Sequence, residues 1–195
     1  ELKTSLRYPK KDLLGITAFR LQAKQSKNVW LYYDAPGVID NGYYQFIHDF
    51  EIKDGVERYY VVDGNTSFLD GKLTAEQRKH LLKHKSKQHK ELFLKAQKIF
   101  VSFASPSIYL PFGNISWYAD LLQYELIYLQ HGVLHASLQN MYAKEYTQID
   151  KFVISSKFEY DNLIENYDYS PDDFIISGMP RMGLAEEQVK KKNKI

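Results

Sequence analysis

Short apolar runs separated by polar segments recur along the chain. Each run is rich in branched and aromatic residues and ends in a turn-forming cluster, which is typical of buried strands. The predicted strands are residues 29–33, 58–62, 99–103, 126–129, 151–155 and 174–177. Helical patterns lie between them, at residues 41–50, 74–96 and 157–166. Strands that alternate with helices imply parallel βα units, so we predict an α/β fold with a doubly wound parallel sheet.

The same pattern divides the chain into three parts. Residues 1–27 form a lead-in that contains an amphipathic helix at 13–24, which packs on the core or on lipid. Residues 28–182 form the α/β domain, and residues 183–195 form a linker. The chain starts at Glu1 without an initiator Met and closes on a lysine-rich run, so we expect a piece of a longer protein.

One apolar run, at residues 126–129, stops abruptly at Gln130-His131-Gly132. In an open parallel sheet, ligands bind at the carboxyl ends of the strands, and this turn would hold an imidazole there. A neutral imidazole accepts a proton near pH 7, and Gly132 would let the backbone approach a ligand closely. From the residues alone, His131 is either a catalytic base or a packed structural histidine. We interpret His135 as a residue that covers the site.

Further candidates follow other predicted strands at the same edge. Ser105 and Asn41 offer a hydroxyl and an amide, although an asparagine at that position also suits a helix cap. Arg181 follows Gly178-Met179-Pro180, and its guanidinium suits a phosphate or a carboxylate. The alternative for Arg181 is an ion pair with an acidic neighbour, for which the candidates are Asp172, Asp173 and Glu186.

Composition and motifs exclude several classes of function. There is no cysteine, so disulfides and thiolate chemistry are excluded. The first strand is not followed by a dinucleotide-binding glycine fingerprint, and the chain has no Walker A sequence and no nucleophile elbow. His80, His84 and His89 lie among lysines that would repel a cation. We therefore predict neither a metal site nor a cofactor.

The net charge of +2 conceals a separation of charge along the chain. Residues 72–98 are strongly basic, whereas residues 150–187 are acidic. Such an asymmetry steers an anionic partner or a membrane surface to one side, or it marks a solvated helix face. No nucleic-acid recognition motif accompanies the lysines, so we do not expect a nucleic-acid partner.

Three phrases together resemble the CDP-glycerol glycerophosphotransferase family, which makes teichoic acids and related polymers of bacterial envelopes. They are VWLYYDAPGVIDNGYYQF at 29–46, YLQHGV at 128–133, and the strand, helix and Gly-x-Pro-Arg sequence at 151–181. The resemblance covers most of residues 28–182. It departs from the family after Pro180-Arg181, where Met182-Gly183 stands in place of the frequent aspartate.

The resemblance implies a GT-B architecture of two facing Rossmann-like domains, in which this chain is the N-terminal, acceptor-side domain. By that logic His131 deprotonates the acceptor hydroxyl, and Asn41, Ser105, Gln130, Gly132, His135 and Arg181 contribute to substrate binding. CDP-glycerol would be held mainly by a C-terminal domain beyond residue 195, so the fragment alone would be inactive. The acceptor would be a polyol-phosphate polymer or a prenyl-diphosphate-linked saccharide, at the inner face of the cell membrane on its cytoplasmic side.

Two alternatives stay open at this stage. A sister transferase of the same architecture would use CDP-ribitol or a nucleotide sugar. A non-catalytic module would instead bind polymer or membrane through its basic segment.

Overall fold

The computed structural model describes residues 28–112, 119–132, 142–144 and 147–183. Its centre is a seven-stranded sheet in which every neighbouring pair is parallel, with the strand order β3-β2-β1-β4-β5-β6-β7. The strands are β1 (Val29–Tyr33), β2 (Glu57–Val62), β3 (Leu81–Lys83), β4 (Ala96–Val101), β5 (Glu125–Tyr128), β6 (Lys151–Ile154) and β7 (Phe174–Ile176). The order reverses direction between β1 and β4, as in doubly wound sheets. The predicted α/β, Rossmann-like fold is therefore confirmed.

Helices connect the strands on both faces of the sheet. They are α1 (Asn41–Phe50), α2 (Ala75–Lys79), α3 (Lys87–Phe93), α4 (Pro106–Tyr109) and α5 (Lys157–Tyr167). Short 3₁₀ turns occur at Ser67–Leu69, Ala119–Leu121 and Pro171–Asp173. No helix within these described residues has the length and apolar content needed to cross a membrane.

The strands are apolar on both faces because helices cover both sides of a parallel sheet. On one face, Leu31 of β1 and Phe152 of β6 belong to the same buried cluster as Leu163 of α5. On the other face, Tyr32 of β1 stacks on Phe100 of β4 at 4.7 Å between ring centroids, and Phe46 of α1 packs against Tyr32. The high tyrosine and phenylalanine content is thus used largely for packing between the sheet and its helices.

The prediction of one long helix over residues 74–96 is wrong. The helix does begin with the capping box that the sequence indicates, formed by Thr74 and Gln77, but α2 ends at Lys79. The next residues form β3, with Leu81 opposite Tyr60 of β2. Lys85 then adopts a left-handed conformation (φ 59°), which separates the strand from α3. Pairing with the neighbouring strand outweighs the helical propensity of the lysines here.

The two edges of the sheet differ in character. The β3 edge carries exposed lysines, including Lys83. The β7 edge is apolar, with Ile176 69% exposed. The sequence divided the chain at residue 182, and the described structure reaches residue 183, so the predicted domain boundaries stay a prediction.

Candidate functional site

Asp34, the residue after β1, anchors the start of α1. Its carboxylate accepts hydrogen bonds from the backbone N–H groups of Asp40 (3.0 Å), Gly42 (2.9 Å) and Tyr43 (2.8 Å). It also accepts hydrogen bonds from the hydroxyls of Tyr60 (2.9 Å) and Ser102 (2.5 Å). The N–H groups of a first helical turn lack partners within the helix, and a negative charge there is favourable. Asp34 is therefore committed to holding α1 against the carboxyl ends of the strands.

Gly42 allows this close approach. A Cβ atom at this position would lie 2.4 Å from the Tyr33 carbonyl oxygen and 2.7 Å from Oδ1 of Asp34. Neither contact is sterically possible without a shift of the helix. Close packing thus explains why the second residue of the Asn-Gly sequence that opens α1 is a glycine.

Asn41 is fully buried and uses its side chain to join two other segments. Its Nδ2 donates to the carbonyl oxygen of Gln130 at 2.8 Å, and its Oδ1 accepts from the backbone N–H of Arg181 at 3.0 Å. The helix cap is the preceding residue, Asp40, whose carboxylate accepts from the Asn41 N–H at 2.9 Å. In this structure, Asn41 is thus a link between α1, the turn after β5 and the segment after β7.

Gln130 makes the turn after β5. It is a buried non-glycine residue in the left-handed region, with φ 62°. Its Nε2 donates to the Val153 carbonyl oxygen of β6 at 2.5 Å, whereas its Oε1 is buried and has no hydrogen-bond partner within the described part of the chain. Such a conformation costs of order 1 kcal/mol or more and persists because its surroundings fix it.

His131 is exposed at the carboxyl end of β5. Its ring stacks on Phe103, which follows β4, with 4.4 Å between ring centroids and 12° between ring planes. Its carbonyl oxygen accepts a hydrogen bond from Nη2 of Arg181 at 2.8 Å. The imidazole is thus stacked on one side and belongs to an exposed residue.

Arg181 pairs with a residue that the sequence analysis did not consider. Its Nη1 donates to Oδ1 of Asp40 at 2.9 Å, and Asp40 is almost completely buried. Burial raises the pKa of the Asp40 carboxyl, and the Asn41 N–H and the Arg181 guanidinium act in the opposite direction. The alternative of an ion pair therefore holds for Arg181, but with Asp40 and, within the described residues, not with Asp172 or Asp173; Asp173 pairs with Lys144. Glu186 lies outside the described residues.

The remaining predicted residues are less closely connected. Ser105 is exposed after β4, and its hydroxyl is 2.8 Å from that of Ser107. A Cβ atom on Gly132 would meet nothing within 4 Å, so the backbone there is open to an incoming group. His135 lies outside the described residues. The structure therefore brings together Asn41, Gln130, His131 and Arg181.

A cavity of about 450 Å³ lies near this group, on the sheet face beside α1. It is lined by Leu129, Val153 and Ile175 of the sheet, and by Met179 and Pro180. The rest of the lining includes the polar residues Gln45, His48 and Ser177. We place the candidate site at the exposed His131 turn, because that turn is joined to Asn41 and Arg181 by hydrogen bonds.

Comparisons with known proteins agree with the fold. No protein-family model matches the chain. The chain is 28% identical over 158 residues to the minor teichoic acid biosynthesis protein GgaB of Bacillus subtilis (strain 168). That match covers 80% of this chain and 17% of GgaB, so the chain spans only a small part of its relative's length.

Solved structures of the wall teichoic acid polymerase TagF share the fold. One histidine-to-asparagine variant superimposes with a TM-score of 0.63 at 10% identity, over 94% of this chain and 48% of that one. The same variant after a soak with CDPG gives a TM-score of 0.58 at 11% identity, over 88% of this chain and 45% of that one. The resemblance to proteins of teichoic acid biosynthesis is confirmed by the match to GgaB. At this level of identity the TagF structures establish the fold alone.

Sequence reasoning missed two residues of this candidate site. Asp40 was detectable, because an aspartate directly before a predicted helix is a favoured cap and Arg181 needed an anionic partner. Phe103 was assigned to the third strand, whereas β4 ends at Val101 and Phe103 lies in the loop. Its position at the same sheet edge as His131 was the available signal.

Proposed function

We propose that the chain is the acceptor-side half of a transferase that moves glycerol phosphate from CDP-glycerol to a hydroxyl group of a cell-envelope polymer or lipid-linked acceptor. The observation that carries the proposal is His131 itself. It is an exposed imidazole on a turn fixed at Asn41 and Arg181, at the edge of the sheet where ligands bind. The similarity to GgaB and the TagF fold support the same class of reaction.

In the proposed reaction His131 is the general base. Its neutral imidazole takes the proton of the acceptor hydroxyl, and the oxygen attacks the β-phosphorus of CDP-glycerol. A new phosphorus–oxygen bond forms, the bond to the leaving phosphate breaks, and CMP departs. The negative charge that develops around phosphorus needs cationic or N–H donors, and in this proposal they belong mainly to a second domain.

The proposal also defines partners. CDP-glycerol is held mainly by a C-terminal domain that follows this chain, which supplies the acceptor side. The TagF variant soaked with CDPG supports a donor of this type. The acceptor is a polyol-phosphate polymer or a prenyl-diphosphate-linked saccharide, presented at the inner face of the cell membrane. Consequently, residues 1–195 alone should fold and release no CMP.

The test measures CMP release from CDP-glycerol by the full-length gene product, with a hydroxyl-terminated acceptor. His131→Ala should lower kcat by about 10²- to 10⁴-fold, the usual contribution of a positioned base. The control is Lys79→Ala, an exposed residue of α2 just before β3, which should retain full activity. If His131→Ala stays within about threefold of the wild type, less than 1 kcal/mol, the base assignment is wrong.

Donor choice is tested in the same assay. CDP-glycerol, CDP-ribitol and a nucleotide sugar are compared at equal concentration with the wild-type protein. We expect turnover of CDP-glycerol. Turnover of CDP-ribitol or of a nucleotide sugar alone would replace the proposed donor while leaving the role of His131 in place.

A further inference from the structure

We propose that Arg181 and Asp40 are positioning residues that hold the His131 turn for catalysis, and that Arg181 does not serve as the phosphate ligand that its sequence context indicates. This inference rests on the proposed function, because it assigns the groups that orient the proposed base. It is carried by contacts that join three segments of the chain.

The first step is the contact between Arg181 and the turn. Nη2 of Arg181 donates to the His131 carbonyl oxygen at 2.8 Å. The backbone N–H of Arg181 donates to Asn41, whose side chain donates in turn to the carbonyl oxygen of Gln130. Two consecutive carbonyl groups of the turn, those of Gln130 and His131, are therefore held by the same cluster.

The second step is the fixed position of Arg181 itself. Nη1 donates to Oδ1 of Asp40 at 2.9 Å, and the Asp40 carboxylate also caps α1 through the Asn41 N–H. A planar guanidinium can donate in two fixed directions at once, which a lysine ammonium does not reproduce. The side chain of Arg181 is about one-third exposed, and that of Asp40 only 7% exposed. Arg181 is thus anchored to α1 on one side and supports the turn on the other.

The third step concerns charge. The ion pair with Asp40 offsets much of the positive charge that Arg181 would present to a phosphate group. Two of its donor groups are already directed at protein oxygens. A residue so committed is better suited to fixing the geometry of His131 than to binding an anion. A displacement of about 1 Å in a catalytic group can lower the rate on the order of 10²-fold. Holding His131 in place is therefore a role large enough to explain the contacts of Arg181 and Asp40.

The test uses steady-state kinetics of the full-length gene product with CDP-glycerol and acceptor. Arg181→Met and Asp40→Asn should each lower kcat, the former by about 10²-fold, with both KM values within about twofold. The kcat of Arg181→Lys should stay below about a tenth of the wild-type value, because a lysine ammonium does not reproduce the two fixed donor directions of the guanidinium. The double variant should be no slower than Arg181→Met alone, because residues that act as a unit are not additive. Lys157→Met, which removes an exposed cation paired with Asp161, is the control and should keep full activity.

Other outcomes would overturn the proposal. A tenfold or larger rise in KM with kcat within threefold would make Arg181 a substrate ligand, and additive losses would separate it from Asp40. Hydrogen–deuterium exchange across residues 129–132 gives a readout that does not depend on turnover. Exchange should accelerate at least tenfold in both single variants, and unchanged exchange would refute the holding role. If the wild type is inactive with CDP-glycerol, the proposed function fails while the exchange result still decides this inference.

Discussion

Replacing Gly42 by alanine would remove the space that lets α1 lie against the end of β1. The added Cβ would lie 2.4 Å from the Tyr33 carbonyl oxygen, and ordinary van der Waals contact begins at about 3.4 Å. The start of α1 would therefore have to retreat by about 1 Å. A retreat of that size along the hydrogen bonds would lengthen the contacts of Gly42 and Tyr43 with Asp34 from 2.9 and 2.8 Å to nearly 4 Å, which breaks them.

The cost follows from these two effects. Overpacking costs about 1–3 kcal/mol, and each lost hydrogen bond to a charged group costs about 1.5–3 kcal/mol. We therefore expect Gly42→Ala to lower the free energy of unfolding by about 3–8 kcal/mol, once the helix propensity of alanine is included. Intrinsic propensity acts the other way, since alanine favours a helix over glycine by about 1 kcal/mol.

The assay is urea unfolding of the chain, followed by far-UV circular dichroism. Gly183→Ala is the matched control, because a Cβ there meets nothing within 4 Å and the residue has no left-handed φ. It should change stability by less than about 0.5 kcal/mol. If Gly42→Ala is as stable as the wild type, the close approach of α1 to β1 is not a constraint, and the reasoning about Asp34 fails with it.

Three further predictions follow from buried or stacked groups. Asp34→Asn should lower the free energy of unfolding at pH 7 by about 2–4 kcal/mol in the same urea assay, because a neutral amide cannot replace a carboxylate that accepts five hydrogen bonds; a loss below 1 kcal/mol would contradict this. Burial lowers the pKa of His89 from 6.5 to about 3, so the stability that neutral His89 contributes is complete above pH 6.5 and is lost as the pH falls towards 3. Between pH 7 and pH 5 the wild type should thus lose on the order of 2 kcal/mol more than His89→Gln, and equal losses in the two proteins would contradict this. Phe103→Ala should lower kcat of the full-length gene product by about 2- to 12-fold, the worth of one stacked ring pair on His131, and an unchanged kcat would show that the stacking does not orient the base.

The apolar runs in the sequence predicted most strands of the sheet, because strands buried on both faces are continuously apolar. The apolar runs of β1, β2, β5 and β6 end within one or two residues of where the sequence placed them. β3 was missed because its three residues lie among lysines that favour a helix, and it becomes a strand only by pairing with β2. Such a short edge strand depends on a distant partner, which local periodicity does not report.

The sequence predicted where the candidate site lies, but it did not predict which hydrogen bonds and ion pairs its side chains form. The parallel sheet placed Asn41, His131 and Arg181 at one edge, and the structure connects them. The sequence did not show which atoms form pairs. Arg181 has several acidic neighbours in sequence, but it pairs with Asp40, which lies 141 positions away. The structure forms this pair because β1 and β7, which precede the two residues, end at the same edge of the sheet.

The long sequence separations within this cluster also fix when it can form during folding. Asn41 reaches Gln130 across 89 positions and Arg181 across 140. Contacts so distant in sequence carry a high loop-closure cost and are expected late in folding. On a ribosome, α1 and β1 would emerge long before Arg181 is synthesised. His131 would therefore acquire its supported geometry only after the last strand has docked, so incompletely folded chains would lack an organised base.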